Sequence, residues 1–174
     1  TECSGTRVSE DILLVFESLG YAKGNTSALN GSKREIINIA SESFRHLNKL
    51  IILLLDNNLI STLHQGIFEG LDELQVLDLY GNMLVTINSG AFHGLWQLRR
   101  LFMNSNRLST LSVDMFEGLS KVEVLYIGEN NISNVDYDAF SKLANIHVLS
   151  LSDNLIPYLD ENTFTNLNQL LYLD

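Results

Sequence analysis

The residues of this chain whose types and spacing could support chemistry are a pair of carboxylates. Asp56 and Asp78 are expected on neighbouring strands of one sheet, and paired carboxylates can act as general acid and general base. That chemistry needs a desolvated pocket that separates the two pKa values, and an open sheet is not expected to provide one. We therefore expect the pair to be a charged surface feature and the protein not to be an enzyme.

Other catalytic and metal-binding patterns are missing from the sequence. It contains no G-x-S-x-G, H-E-x-x-H, C-x-x-C or phosphate-loop pattern. Its single cysteine, Cys3, excludes both an internal disulfide and a multi-cysteine zinc site. Three of the four histidines, His46, His64 and His93, are expected in solvated segments. The sequence thus predicts neither a metal nor a cofactor.

The elements that position these residues follow from a repeat of 24 residues. Phenylalanine, asparagine and leucine recur at that interval without a slip, and self-similarity at such a fixed period is typical of a solenoid. Each unit reads L-x-x-L-x-L-x-x-N-x-L-x-x-L, four variable positions, then F-x-x-L-x-x. The two diagnostic columns are Phe44, Phe68, Phe92, Phe116, Phe140 and Phe164, and Asn58, Asn82, Asn106, Asn130 and Asn154.

The spacing inside each unit predicts one short strand per repeat. Leu53 and Leu55 alternate with outward-facing residues, as a strand with one buried face requires. Parallel stacking of such strands at about 4.8 Å gives a curved α/β solenoid with the sheet on its concave side and an irregular convex side. We expect the asparagine amides to satisfy interior backbone groups and the phenylalanine rings to fill the convex side.

The unit resembles the leucine-rich repeat, in the 24-residue form common in extracellular proteins. On this reading, five full repeats occupy residues 50–73, 74–97, 98–121, 122–145 and 146–169. A degenerate first repeat covers 29–49, where Gly31 and Arg34 replace a core aliphatic residue and the asparagine. A truncated sixth repeat covers 170–174. Residues 29–174 are thus expected to form one leucine-rich repeat array.

The two ends of the chain are expected to differ from the repeats. Residues 1–28 are predicted to form an N-terminal cap, because a candidate N-cap at Ser9 and a stop signal at Gly20 favour a helix over about 9–19, followed by a loop. At the other end a polar cap is missing, so three leucines are expected to face solvent and could support self-association: Leu167, Leu170 and Leu173.

The concave face carries the variable positions of the repeat. Scaffold positions repeat almost unchanged, whereas the outward strand positions change chemistry from strand to strand. Phe102 lies outside the phenylalanine column, between Asp78 and Tyr126, and clustered exposed aromatics are common binding anchors. The alternative to a binding role is that the aromatic rings only shield one another from solvent on an open sheet. The candidate ligand-binding residues are Asp56, Asp78, Tyr80, Arg100, Phe102, Asn104, Glu123, Tyr126, Glu129 and Asp153.

Charge narrows the class of partner. The chain has 11 basic and 21 acidic residues and a net charge of −10, which argues against nucleic acid because phosphate recognition needs a basic surface. No apolar run approaches the ~20 residues that cross a bilayer, so we expect no membrane insertion in this segment. An acidic, aromatic face suits a partner rich in amines or sugar hydroxyls, although a chain of this charge is acidic over much of its surface.

The repeat, with Ala91-Phe92 and Ala139-Phe140, looks like that of variable lymphocyte receptors of jawless vertebrates and, second, of Toll-like receptor ectodomains. Variable lymphocyte receptors bind antigen through variable strand positions of the concave sheet. The resemblance therefore implies an extracellular module that binds antigen, foremost a microbial surface glycan or protein. The alternative is a host protein-interaction domain of an adhesion, guidance or hormone receptor. Candidate glycosylation sequons begin at Asn25, Asn30 and Asn131.

Overall fold

The computed structural model describes residues 26–41 and 43–174, which form a solenoid of short parallel strands. The strands are β1 (Ala28–Asn30), β2 (Ile52–Leu54), β3 (Thr62–Leu63), β4 (Val76–Asp78), β5 (Thr86–Ile87), β6 (Arg100–Phe102), β7 (Thr110–Leu111), β8 (Val124–Tyr126), β9 (Asn134–Val135), β10 (Val148–Ser150) and β11 (Tyr172–Leu173). Seven of these strands make one sheet in the order β1-β2-β4-β6-β8-β10-β11, and two further pairs, β3-β5 and β7-β9, lie later in their repeats.

The register of the large sheet equals the period of the sequence. Leu53 pairs with Leu77, and Leu77 pairs with Leu101, so each core leucine stacks on its counterpart in the next repeat. The backbone ladder continues past the strand ends, where the N–H of Leu79 donates to the carbonyl of Phe102 at 2.8 Å. The predicted parallel sheet, to which each repeat contributes one strand, is confirmed. The second, two-residue strand of four repeats (β3, β5, β7 and β9) was not predicted.

The phenylalanine column forms two stacks of rings inside the solenoid, Phe44–Phe68–Phe92 and Phe116–Phe140–Phe164. Phe68 and Phe92 are fully buried, and their ring centroids lie 6.1 Å apart with the planes only 2° from parallel. Phe116 and Phe140 stack in the same way at 6.0 Å. Stacked rings fill the side opposite the large sheet and occupy the volume that a helix would otherwise fill.

The asparagine column joins successive turns by hydrogen bonds. Asn82 Oδ1 accepts the N–H of Ile60 at 3.1 Å, and Asn82 Nδ2 donates to the carbonyls of Leu55 at 2.9 Å and Leu79 at 3.1 Å. The carbonyl of Leu55 also accepts a bond from Asn58 at 2.8 Å. One buried amide thereby satisfies backbone groups of two repeats, as the sequence predicts.

Three expectations about the fold have different outcomes. The predicted helix over 9–19 lies outside the described residues, and the part of the chain that the structure describes contains no helix, let alone one able to span a membrane. The described array is therefore a β-solenoid rather than an α/β one, because a 24-residue unit closes through turns and stacked rings instead of a helix. The expected exposure of Leu167 is wrong: it is buried, while Leu170 is half-buried and Leu173 exposed.

Candidate ligand-binding face

The outward-pointing positions of the seven-stranded sheet form one continuous surface, here called the sheet face. In β4, Leu77 is buried while Val76 and Asp78 on either side of it are only half-buried. Asp78 pairs with Phe102, and Phe102 pairs with Tyr126. Three repeats therefore each deliver one side chain, with different chemistry, to a single row across β4, β6 and β8.

This row borders an open hollow, here called the central depression. It has a volume of about 300 Å³ and is lined by Asp78, Tyr80, Phe102, Asn104 and Tyr126. The first, third and fifth of these residues end strands β4, β6 and β8, and the other two follow β4 and β6. The five lining residues come from three consecutive repeats, and all of them are among the candidates that the sequence singles out.

Stacked aromatic rings form one wall of the central depression. The rings of Phe102 and Tyr126 lie 5.7 Å apart, with their planes 12° from parallel. Both side chains are only half-buried, and Tyr80 on the preceding repeat remains 40% exposed. The rings shield each other on one side, and the other side of Phe102 faces the neighbouring repeat that carries Asp78. Phe102 and Tyr126 therefore shield each other and still form an accessible aromatic wall of the central depression.

Asp78 is the ionisable group of the central depression. Burial raises the pKa of Asp78 above its ordinary value, the nearby charge of Asp56 raises it further, and a hydrogen bond from the N–H of Tyr80 opposes both. That N–H donates to Asp78 Oδ1 at 2.9 Å, and no described residue donates to Oδ2. The sequence predicts no desolvated pocket on an open sheet, yet Asp78 is partly desolvated by the side chains around it.

Asp56 lies beside the central depression but does not line it. Its Oδ1 accepts a hydrogen bond from the Ser32 hydroxyl, and its Oδ2 accepts one from Asn57 Nδ2 at 2.8 Å. Among residues 26–41 and 43–174, no basic side chain forms an ion pair with Asp56 or Asp78; the ion pairs there are Lys49–Glu73 and Arg99–Glu123. The two carboxylates thus concentrate negative charge that those residues leave unneutralised.

The other four candidates lie elsewhere on or around the sheet face. Arg100 is exposed at the start of β6. Glu123 forms an ion pair with Arg99. Glu129 and Asp153 are exposed and adopt left-handed backbone conformations with φ of 51° and 54°. Glu129 also accepts a hydrogen bond from Ser105 at 2.6 Å. The structure does not bring these four residues into the central depression.

The left-handed backbone of these two residues belongs to a column that sequence reasoning missed. The column recurs once per repeat, directly before the asparagine position, at Lys33, Asn57, Gly81, Ser105, Glu129 and Asp153. Only one of its members is glycine, so residue type gives little signal of the positive φ. The positive φ turns the chain after each strand of the seven-stranded sheet and directs the asparagine that follows into the core.

Sequence reasoning also missed a second hollow on the flank that carries β7 and β9. It has a volume of about 500 Å³ and is lined by Val113, Val135, Asp136, Tyr137, Tyr158 and Asp160. Tyr137 is 66% exposed and Tyr158 is 80% exposed. Their positions lie outside the strands of the large sheet, so the strand pattern alone gave no reason to select them.

The remaining predicted sites have simple surroundings. Asn30 and Asn131 are both exposed, and Asn25 lies outside the described residues. His46, His64 and His93 are exposed, as expected. No group of three or more His, Cys, Asp or Glu side chains within 26–41 and 43–174 is placed to hold a metal ion.

Comparisons with known proteins agree with this geometry. A family model described as leucine rich repeat matches residues 31–84, 48–108, 97–156 and 120–174. None of the curated proteins compared with the chain matches it in sequence. Among solved structures, the chain is similar to a chain of the Toll–Spatzle complex, described as a molecular hub in Drosophila development and innate immunity. The TM-score is 0.75 at 24% identity, and the match covers 80% of this chain but only 20% of that one.

Proposed function

Since the chain belongs to the leucine-rich repeat family, we propose that it is a secreted or cell-surface recognition module that binds antigen through the sheet face. The foremost ligands are microbial surface components, a glycan or a protein, and the mode of binding is like that of variable lymphocyte receptors. We expect the sheet face to be the concave side of the solenoid. Binding itself requires neither a metal nor a cofactor.

The central depression is the observation that carries this proposal. It lies in the middle of the array, where β4, β6 and β8 are held by strands on both sides. Its side chains come from positions that change in every repeat, while the leucine, asparagine and phenylalanine positions beneath them do not. A fixed scaffold with a varied, partly aromatic surface is the arrangement that ligand recognition needs.

A host protein ligand is the second candidate. It is favoured by the similar solved structure, which is a complex of Toll with Spatzle. The chain covers only a fifth of that Toll–Spatzle chain. A protein ligand would therefore contact, through this array, only a part of the surface that the longer chain has. Under this alternative, the sheet face serves an adhesion, guidance or hormone receptor instead of an immune one.

A cell-binding panel separates the two candidates. Fluorescently labelled protein is incubated with Gram-positive bacteria, Gram-negative bacteria and host cells, next to an Asp56→Asn/Asp78→Asn variant. We expect saturable, microbe-selective binding that this variant weakens by at least about tenfold, since it removes the carboxylate that lines the central depression and the negative charge beside it. The matched control, Asp114→Asn, changes an exposed carboxylate in the turn after β7 and should bind as the unmodified protein does. Binding to host cells alone would instead support the host-protein candidate.

A further inference from the structure

The chemistry of the central depression points to one kind of ligand group. We propose that it holds an arginine side chain of a protein ligand, with the guanidinium against the Phe102–Tyr126 wall and paired with Asp78. This inference rests on the proposed function and adds the chemical class of the group that is bound. It places the antigen among basic proteins rather than neutral glycans.

Unneutralised negative charge is the first argument. Asp78 and Asp56 lie close enough for their charges to interact, and neither has an ion pair within the described residues. Both oxygens of Asp56 already accept hydrogen bonds, whereas Asp78 Oδ2 receives none from a described residue. A bound cation would relieve the repulsion between the two carboxylates and supply the missing donor to Asp78.

The aromatic wall is the second argument, and it favours a planar cation. A guanidinium stacks on aromatic faces and binds carboxylates through two parallel N–H groups, which an ammonium does not do. Phe102 and Tyr126 present nearly parallel rings, Tyr80 is exposed beside them, and Asn104 adds an amide that can accept a hydrogen bond. Stacking and pairing can therefore occur together in the same hollow.

Size is the third argument. A volume of about 300 Å³ is at the lower end of the range for small-molecule pockets, about 300–1,000 Å³. Such a space suits one long side chain better than a branched oligosaccharide. A neutral sugar would also leave the charges of Asp56 and Asp78 uncompensated.

Protonation gives the inference a second readout. The charged form of Asp78 is the one that pairs with a guanidinium, so affinity should fall as the pH is lowered through the raised pKa of Asp78. The other titratable or charged groups around it are Asp56 after β2, Tyr80 on its own repeat, Arg100 on β6 and Tyr126 on β8. A neutral ligand should show a much weaker dependence on the charge of Asp78.

The test is an NMR titration of the ¹⁵N-labelled protein with small probes. The probes are the blocked tripeptide Gly-Arg-Gly, the same peptide with citrulline in place of arginine, and chitotriose as a neutral sugar. We expect the arginine peptide to shift the backbone amide signals of Tyr80, Phe102 and Asn104. Citrulline, or Asp78→Asn in the protein, should weaken binding by about tenfold, while Asp114→Asn should leave it unchanged.

The outcomes separate this inference from the proposed function. Equal binding of the arginine and citrulline peptides, binding of chitotriose in place of arginine, or no shift with any probe would overturn the arginine assignment. If the cell panel then still shows binding that depends on the sheet face, the proposed function stands. Loss of that dependence in the cell panel would overturn the proposed function itself.

Discussion

Single residues of the array divide into those that stabilise it and those that do not. Asn106 is of the first kind, because its Oδ1 accepts a hydrogen bond from the N–H of Leu84 at 2.9 Å and its Nδ2 donates one to the carbonyl of Leu79 at 3.0 Å. Asp78 is of the second kind, because burial and the charge of Asp56 both disfavour its ionised form. Under the proposed function, binding of a ligand at the depression explains why a residue that costs stability is present there.

The pH dependence of stability should reveal this cost at Asp78. Because its pKa is raised in the folded state, folding takes up a proton between the ordinary value of 3.8 and the raised one. Stability therefore falls as the pH rises through that window, and the whole cost is present at neutral pH. Asp78→Asn removes the cost and keeps an acceptor for the N–H of Tyr80. We expect it to raise the free energy of unfolding at pH 7 by about 0.5 kcal/mol.

Urea unfolding at several pH values measures this effect. The gain in the Asp78→Asn variant should disappear as the pH is lowered below the ordinary carboxyl value, since the carboxyl of the unmodified protein is then neutral in both the folded and the unfolded state. Asp114→Asn provides the comparison for a carboxylate outside the sheet face. A variant that is less stable than the unmodified protein at pH 7, or a gain that does not change with pH, would show that Asp78 is not strained by its charge.

At the scale of elements, the two stacks of phenylalanine rings replace a layer of helices. Phe92 is fully buried and lies parallel to Phe68. Phe92→Ala removes a ring from the middle of the array and leaves a cavity, so we expect a loss of about 3–5 kcal/mol in the free energy of unfolding. Phe92→Leu keeps most of the volume and should cost clearly less. Denaturant unfolding measures both, and similar small losses would mean that the stack contributes little.

The repeat makes the elements predictable, and the exceptions have physical causes. Because the register equals the period, the sequence alone places the neighbours Asp78, Phe102 and Tyr126 on one row. The period does not predict how far the aromatic side chains desolvate Asp78. Nor does residue type predict the positive φ at Glu129, since the hydrogen bond from its backbone N–H to the carbonyl of Ser152 in the next repeat, at 2.8 Å, helps to hold it against the residue's own preference.

The whole molecule separates its scaffold from its proposed binding surface. In a solenoid each repeat contacts its neighbours, so a strand can change its outward residues while the buried columns keep the same contacts. The net charge of −10 favours approach of a basic partner to such a surface, and this attraction should weaken as salt is added. The flank hollow around Tyr137 and Tyr158 is the competing surface, because it is larger and its tyrosines are more exposed.

One comparison tests the central claim, recognition through the sheet face, most directly. Binding curves on the microbe identified by the cell panel are measured for the unmodified protein, for Phe102→Ala/Tyr126→Ala and for Tyr137→Ala/Tyr158→Ala, after unfolding experiments show that all three are folded. Each variant loses two partly exposed aromatic side chains, one pair from the central depression and one from the flank hollow. We expect the first variant to lose at least about tenfold in affinity, as for aromatic anchors of interfaces, and the second to bind normally. The reverse result would contradict the account and move the binding surface to the flank.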